Sequence, residues 1–246
     1  MSHMRPFGIL PQNKTPDYEV RLLLEPAEIL TPSIQLTNDV QSTFNMQPSA
    51  TKESIEFFDT PTKEIFEGRL ERQRPTLTHA NRHGFNNEPT GDSREFKAQV
   101  EWGYANKVLS MASKKKLDGF LADELDFPSA DRIRQMLSTE APNKFRHWKI
   151  HDWGTYALQR SIIYGPILVD RYSGSWDNKP INLEVWYMVN PSASRTDYIV
   201  EVSCKTNNRA SALFKQRRLV DELKSKGWLV DEDLKKTEAI LDAYAV

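Results

Sequence analysis

The sequence predicts an α+β fold in which a closed, eight-stranded antiparallel β-barrel forms a tunnel and helices pack outside it. Two patterns lead to this prediction. Several segments with strand periodicity carry charged side chains on one face and apolar side chains on the other, and short turns containing Gly, Pro and Asn join the later strands. A closed barrel accommodates both faces, because it encloses the charges and presents the apolar side chains to covering helices.

Composition narrows the class of protein. Of the 246 residues, 39% are hydrophobic, which is enough to bury a core. The net charge is -1, so a bulk attraction to nucleic acid is not indicated. The single cysteine, Cys204, excludes an intramolecular disulfide and a metal-thiolate site. No apolar run approaches the roughly 20 residues that span a membrane, and we expect a cytoplasmic protein with no membrane partner.

One domain is expected over residues 17–246. Residues 1–16 are expected to be a flexible N-terminus, in which Met1–Met4 is typical of a cloning remnant. The first strand is Asp17–Leu24, where Asp17, Glu19 and Arg21 share one face because successive side chains of a strand point to opposite sides. Further strands are predicted over residues 40–46, 54–59, 68–74, 94–102, 153–164, 167–173, 181–190 and 198–205.

Helical spacing predicts helices over residues 104–116, 129–139, 209–226 and 231–244, with Ser129 as an N-cap and Gly227 as a helix end. Residues 25–38 read as a short helix or an irregular linker. His147 and His151 are four residues apart in a stretch that reads as strand, so surface or core histidines are expected there and not a metal site.

Charged positions recur on the predicted strands. Glu184 shares its face with Trp186 and Met188, and Glu201 shares one with Ser203 and Lys205. Further polar positions on predicted strands that we single out are Arg72, Arg74, Lys97, Gln99, Glu101, Arg160 and Asp170. Buried charges persist only when they are paired or bound to a ligand, so we expect them to form a binding site.

The order of these residues resembles the CYTH superfamily, the triphosphate tunnel metalloenzymes. The resemblance rests on Asp17-x-Glu19-x-Arg21 and on the turn Phe58-Asp59-Thr60-Pro61 followed by Arg72-x-Arg74. Its other matching positions, in chain order, are Lys97, Arg160, Asp170 and Glu184. Members of this superfamily hold a polyphosphate with basic side chains and Mg²⁺ or Mn²⁺ with acidic ones, inside an eight-stranded barrel.

The resemblance implies a metal-dependent phosphohydrolase acting on tripolyphosphate or an organic triphosphate, with a triphosphate-bearing RNA end as the one nucleic-acid substrate. The implied metal ligands are Asp17, Glu19, Asp170 and Glu184, with Glu201 as a further candidate. The implied catalytic residues are Glu19, Arg72, Arg74, Lys97 and Arg160. The implied substrate-binding residues are Arg21, Lys205, Trp186 and Tyr172.

Trp186 departs from the family pattern, which often continues Glu-x-Glu where this chain has Glu184-x-Trp186. An indole offers a flat surface and one N–H donor but cannot bind Mg²⁺. Two alternatives to the hydrolase therefore remain open. One is a barrel that serves as a cyclase or isomerase of a small molecule, with carboxyl groups as general acid and base and no cofactor. The other is a tunnel that binds polyphosphate without hydrolysing it.

Overall fold

The computed structural model describes residues 16–67, 96–113, 128–141, 143–190 and 195–244, and its main feature is a seven-stranded sheet. The strands lie in the order β2-β5-β6-β7-β1-β3-β4. Their bounds are β1 Asp17–Leu24, β2 Thr51–Asp59, β3 Phe96–Trp102, β4 Lys107–Ser113, β5 Ile162–Trp176, β6 Lys179–Asn190 and β7 Arg195–Thr206.

The sheet is strongly curled into a half-barrel, so the prediction of a closed, eight-stranded antiparallel barrel is wrong. Within the described ranges, β2 and β4 form the two edges. All neighbouring strands are antiparallel except β1 and β3, which run parallel with Glu19 opposite Glu101. The mixed α+β class and the long antiparallel strands of the second half are as predicted.

The helices are distributed over both faces of the sheet. Their bounds are α1 Pro26–Ile29, α2 Asn38–Thr43, α3 Ala130–Glu140, α4 Asn143–Arg146, α5 Trp153–Gln159, α6 Arg209–Ser225 and α7 Lys236–Ala243, and residues 64–67 also form a helical turn. In the part of the chain that is described, no helix is both long and apolar enough to cross a membrane.

Two of the predicted strands are partly or wholly helical. Residues 40–46 contain the end of α2, because the Thr37 side chain accepts a hydrogen bond from the Val40 N–H and caps that helix. The predicted strand over residues 153–164 begins instead as α5. Its buried residues Trp153, Ala157 and Leu158 repeat with helical spacing, and β5 starts only at Ile162.

The predicted helix over residues 104–116 is wrong, since Lys107–Ser113 is strand β4, paired with β3. A distant acid fixes the turn between these strands. The Asp233 carboxylate accepts backbone N–H bonds from Tyr104, Ala105 and Asn106 at 2.6–2.9 Å. It also lies so close to Gly103 that a Cβ there would clash with it. Local spacing carries no information about this contact.

The main core lies on one face of the sheet, which we call the apolar face. Val20, Leu22 and Val202 are buried there. Helix α6 covers this face with Leu219 and Leu223. A smaller apolar cluster lies on the opposite face, where Ile240 of α7 packs on side chains from β5 and β6, namely Ile167, Val169, Trp186 and Met188. Helix α7 is therefore placed on the face that carries the charged side chains.

The turn after β2 is built around Asp59, which is only 3% exposed. Its carboxylate accepts backbone N–H bonds from Thr60, Ile65 and Phe66 at 2.7–2.9 Å. The Tyr164 hydroxyl donates to the Thr60 carbonyl at 3.0 Å, which ties the turn to β5. Burial raises the pKa of Asp59, while the three N–H donors act in the opposite direction.

We predict that Asp59→Ala lowers the free energy of unfolding by about 2–4 kcal/mol, because it leaves three buried or partly buried N–H groups without their acceptor. Asp59→Asn should cost less, since one amide oxygen can still serve Thr60 and Ile65, which share Oδ1. Urea unfolding followed by circular dichroism measures both. Equal losses in the two variants would contradict this role of the carboxylate.

Candidate functional site

A continuous series of ion pairs crosses the face of the sheet opposite the apolar face. Acidic and basic side chains alternate along it, and neighbours approach within 2.6–3.5 Å. In order, its members are Glu101, Arg21, Glu201, Lys236, Glu184, Arg171 and Glu53. We call these seven residues the ion-pair chain and the side of the sheet that carries them the charged face.

Sheet register explains why these side chains meet. The six sheet residues of the ion-pair chain come from β3, β1, β7, β6, β5 and β2, which is the order of those strands in the sheet. Ser203 lies opposite both Arg21 and Asn182, and Arg171 lies opposite Glu184. Residues directly opposite on paired strands share a face, so the register places all six on the same side.

Lys236, the first residue of α7, is the one member that does not come from the sheet. Its Nζ lies 3.5 Å from Glu184 Oε2 and 3.3 Å from Glu201 Oε1. These two glutamates are directly opposite each other on β6 and β7. Like charges at such positions repel, so a cation between them stabilises the pairing of the two strands.

Trp186 lies on the charged face beside Glu184, as alternation predicts. Its indole Nε1–H donates to Glu184 Oε2 at 2.9 Å, and the Lys236 ammonium stands 3.9 Å from the ring centroid. The side chain is only 6% exposed. The ring is therefore engaged within the protein, by a carboxylate at its edge and by a cation over its face.

A second group of polar contacts lies beside the ion-pair chain. Lys205 Nζ is 3.5 Å from Glu19 Oε1, and these residues are directly opposite on β7 and β1. The Gln99 amide donates to the other carboxylate oxygen of Glu19. Glu19, Arg21, Glu184, Glu201 and Lys205, all predicted from alternation, thus occupy a single face.

The balance of burial and charge sets the proton affinities on this face. Burial alone would raise the pKa of Glu184, but Lys236, Arg171 and the Trp186 N–H together hold it below its usual value of 4.5. Burial opposes the charge of Arg21, yet Glu201 and Glu101 outweigh it and raise the pKa of the guanidinium. Both groups are therefore ionised at neutral pH.

Asp170 and Tyr172, predicted as a metal ligand and a substrate-binding residue, lie on the apolar face. The reason is register: Arg171 is opposite Glu184, so its two neighbours in β5 point the other way. Asp170 accepts a hydrogen bond from the Tyr187 hydroxyl at 2.8 Å, and Tyr172 is buried in the main core. Neither residue therefore shares a face of the sheet with Glu184.

Arg160 is not a member of the ion-pair chain either. It follows α5 instead of lying in a strand, its side chain is 59% exposed, and it pairs with Glu64 at 2.9 Å. Asp17 lies on β1 opposite Gln99. Arg72 and Arg74 fall outside the described residues, and position 97 is described only as backbone of β3, so the side chain of Lys97 is outside them too.

Sequence reasoning missed three members of the ion-pair chain. Glu53 and Arg171 have the alternation of strand residues, but only the register between β2, β5 and β6 shows that they face Glu184. Lys236 gives no such signal. It lies in a helix, next to the exposed Lys235, and its position depends on how α7 packs on the sheet.

A different group of potential metal ligands occurs near α5. His147, His151 and Asp152 each offer a ligand atom, and these atoms lie within 4.8 Å of one another. His151 Nδ1 is 2.7 Å from Asp152, and the Asp152 N–H donates to His147 Nδ1. The segment is a turn and not the predicted strand. Both imidazoles are exposed, and the shortest contact of the group joins His151 to its chain neighbour Asp152.

Comparisons with known proteins found no matching family model, no matching curated protein and no matching solved structure.

We predict that Glu184→Gln lowers stability at pH 7 and that this loss shrinks as the pH falls below about 4.5. A carboxyl group whose pKa is depressed by folding stabilises the protein above its unfolded-state pKa, and it loses that contribution as it is protonated. Urea midpoints at pH 7 and pH 3 measure the effect. Glu232→Gln, which changes an exposed glutamate, serves as a control. If Glu184→Gln lowered stability equally at both pH values, the argument would be contradicted.

Proposed function

We propose that the charged face binds tripolyphosphate, or the triphosphate group of an organic molecule, together with Mg²⁺ or Mn²⁺ and catalyses its hydrolysis. The observation that carries the proposal is the ion-pair chain, which places acidic and basic side chains in alternation along one face. A metal–triphosphate complex likewise presents cationic and anionic groups side by side. Each basic side chain can then exchange its carboxylate partner for a phosphate group. Each carboxylate can exchange its basic partner for the metal ion.

Charge balance supports a complex over a bare anion. The ion-pair chain holds four carboxylates against three basic groups, one negative charge in excess. A polyphosphate without a cation would be repelled by this excess negative charge. A phosphate that brings a divalent cation supplies positive charge to the carboxylates, for which Mg²⁺ has a preference.

The side chains have distinct parts in the proposed reaction. Arg21 and Arg171 offer planar guanidinium groups that match phosphate oxygens, and Lys205 adds a point charge near Glu19. Water attacks the terminal phosphorus, a new P–O bond forms, and the bridging P–O bond breaks. Orthophosphate and the chain shortened by one phosphate leave, and the protons of the water pass to these products and to the solvent. When bound, the metal supplies charge neutralisation and activation of water. Positioning and neutralisation are the main requirements of phosphoryl transfer.

The resemblance of the Asp17-x-Glu19-x-Arg21 strand and the Asp59 turn to the CYTH superfamily supports the same proposal. The residues of the first motif lie on β1, which pairs with β3 and β7, and the Asp59 turn lies at the end of β2. Glu19, Arg21 and Glu184 lie on one face, as the proposed role requires.

The non-hydrolytic polyphosphate-binding module is the second candidate. Lys236 favours it, because its ammonium group already neutralises Glu184 and Glu201, two of the carboxylates that would otherwise be available to hold a metal ion. The cyclase or isomerase alternative gains no such support. The Trp186 ring, its expected stacking surface, is covered by Lys236 and packs with α7.

We predict phosphate release from tripolyphosphate, thiamine triphosphate or ATP in the presence of Mg²⁺ or Mn²⁺. Glu19→Gln should lower the rate by about 100-fold or more, since it removes a carboxylate proposed to hold the metal. Glu232→Gln, which changes an exposed acid that is not a member of the ion-pair chain, should leave the rate unchanged. Phosphate release measured with malachite green tests all three proteins.

Calorimetry separates the two candidates. Binding of tripolyphosphate that requires no divalent metal, with no phosphate release from any of the three substrates, would replace the hydrolase with the binding module. Absence of both binding and turnover in folded protein would rule out both.

A further inference from the structure

We propose that the charged face contains a docking groove for a helix that carries a lysine and, four positions later, an apolar side chain, and that α7 is the internal occupant of this groove. A helix of the same chemistry from a partner protein takes the place of α7 when α7 is released. The inference goes beyond the proposed function and does not rest on it, because helix binding is measured without any phosphate compound.

One end of the groove binds an ammonium group. Lys236 Nζ lies 3.3 Å from Glu201 Oε1 and 3.5 Å from Glu184 Oε2, and it stands 3.9 Å from the centroid of the Trp186 ring. An aromatic face combined with carboxylates suits an organic cation. The side chain of Lys236 is only 13% exposed, so the whole alkyl stem is enclosed and not the charge alone. This end of the groove therefore selects a lysine.

The other end of the groove is apolar. Ile240 follows Lys236 by four residues, a spacing that places both side chains on the same side of a helix. Ile240 is fully buried, and Tyr244, four residues further along, packs against the same cluster. The sheet supplies this cluster with Ile167, Val169, Trp186 and Met188. Trp186 contributes to both ends, which joins the ammonium site and the apolar site into one groove.

Release of α7 leaves the main core intact. That core lies on the apolar face and is covered by α6, not by α7. The Asp233 carboxylate is held by the backbone N–H groups of the β3–β4 turn, so the opening stops at that residue. An eight-residue helix has little stability of its own in water. The helix therefore detaches as a local unit, at the expense of its own contacts with the sheet.

Charge and chain length define the occupant. Without Lys236, the ion-pair chain has four carboxylates and two guanidinium groups, an excess of two negative charges that favours a basic helix. Asp233 and Lys236 are three residues apart, which is about 11 Å when fully extended. This short tether keeps a released α7 beside its own sheet. The helix that replaces it therefore comes from another protein, and α7 competes with that helix at high local concentration.

The test is calorimetric binding of a synthetic peptide of residues 234–246 to the full-length protein. A full-length variant with both Lys236→Gln and Ile240→Ser has lost the two anchors of its own α7. We expect this double variant to bind the peptide at least about tenfold more tightly than the parent protein does, because the internal competitor is weakened. Full-length Lys235→Gln, which changes the neighbouring lysine that pairs with Glu238, should bind as weakly as the parent.

A second peptide tests the ammonium site. The same peptide carrying Lys236→Gln should bind the double variant at least about tenfold more weakly than the unchanged peptide, since it lacks the cation that Glu184, Glu201 and Trp186 receive. The proposal is overturned if the folded double variant does not bind the unchanged peptide, or binds both peptides equally. A dimer of the parent protein that is lost in Lys236→Gln, detected by light scattering, would make a second copy the occupant and overturn the assignment to a partner.

Hydrogen exchange supplies a test that holds even if the double variant folds poorly. Lys236→Gln alone should speed amide exchange in α7 at least about tenfold and leave α6 unchanged, because α7 opens locally. Lys235→Gln should change neither helix. Equal acceleration in α6 and α7, or none in α7, would show that α7 does not open as a separate unit and would overturn the proposal. Phosphate release, which tests the proposed function, is unaffected by any of these results.

Discussion

The repulsion between Glu184 and Glu201 is the constraint on which the charged face depends. These residues are fixed opposite each other by the pairing of β6 and β7, so neither can move away without disturbing the centre of the sheet. Their charges are accommodated by cations from three directions, Arg171, Lys236 and Arg21. The first and last of these bring in Glu53 and Glu101, and the ion-pair chain extends across six strands as a result.

Helix α7 has two roles that follow from its placement. Ile240 joins a small apolar cluster on the charged face, which holds the helix against β5 and β6. That anchoring delivers Lys236 to the two glutamates and to the Trp186 ring. The larger core on the apolar face, covered by α6, packs against the opposite side of the strands that carry the opposed charges. A site of paired charges thus depends on apolar packing on both sides of the sheet.

Alternation along one strand correctly predicted which of its side chains share a face. It could not predict contacts that depend on how strands and helices pack together. The faces of Glu19 and Arg21 in β1, and of Glu184 and Trp186 in β6, follow from period-two spacing within one strand. The absence of Asp170 from the charged face does not follow from that spacing, because it depends on which residue of β5 lies opposite Glu184. The β3–β4 hairpin escaped prediction because Asp233, more than a hundred residues away in sequence, holds its turn. Lys236 enters the site through the docking of α7, for which no local pattern exists.

The central proposal is that the charged face binds a triphosphate group together with a divalent cation. Anomalous diffraction from crystals soaked with Mn²⁺ and tripolyphosphate tests this most directly, because it locates the ion without reference to activity. The account predicts an Mn²⁺ peak beside carboxylates of the charged face, with phosphate density beside Arg21 or Arg171. An Mn²⁺ peak confined to His147, His151 and Asp152, with no phosphate density on the charged face, would contradict it.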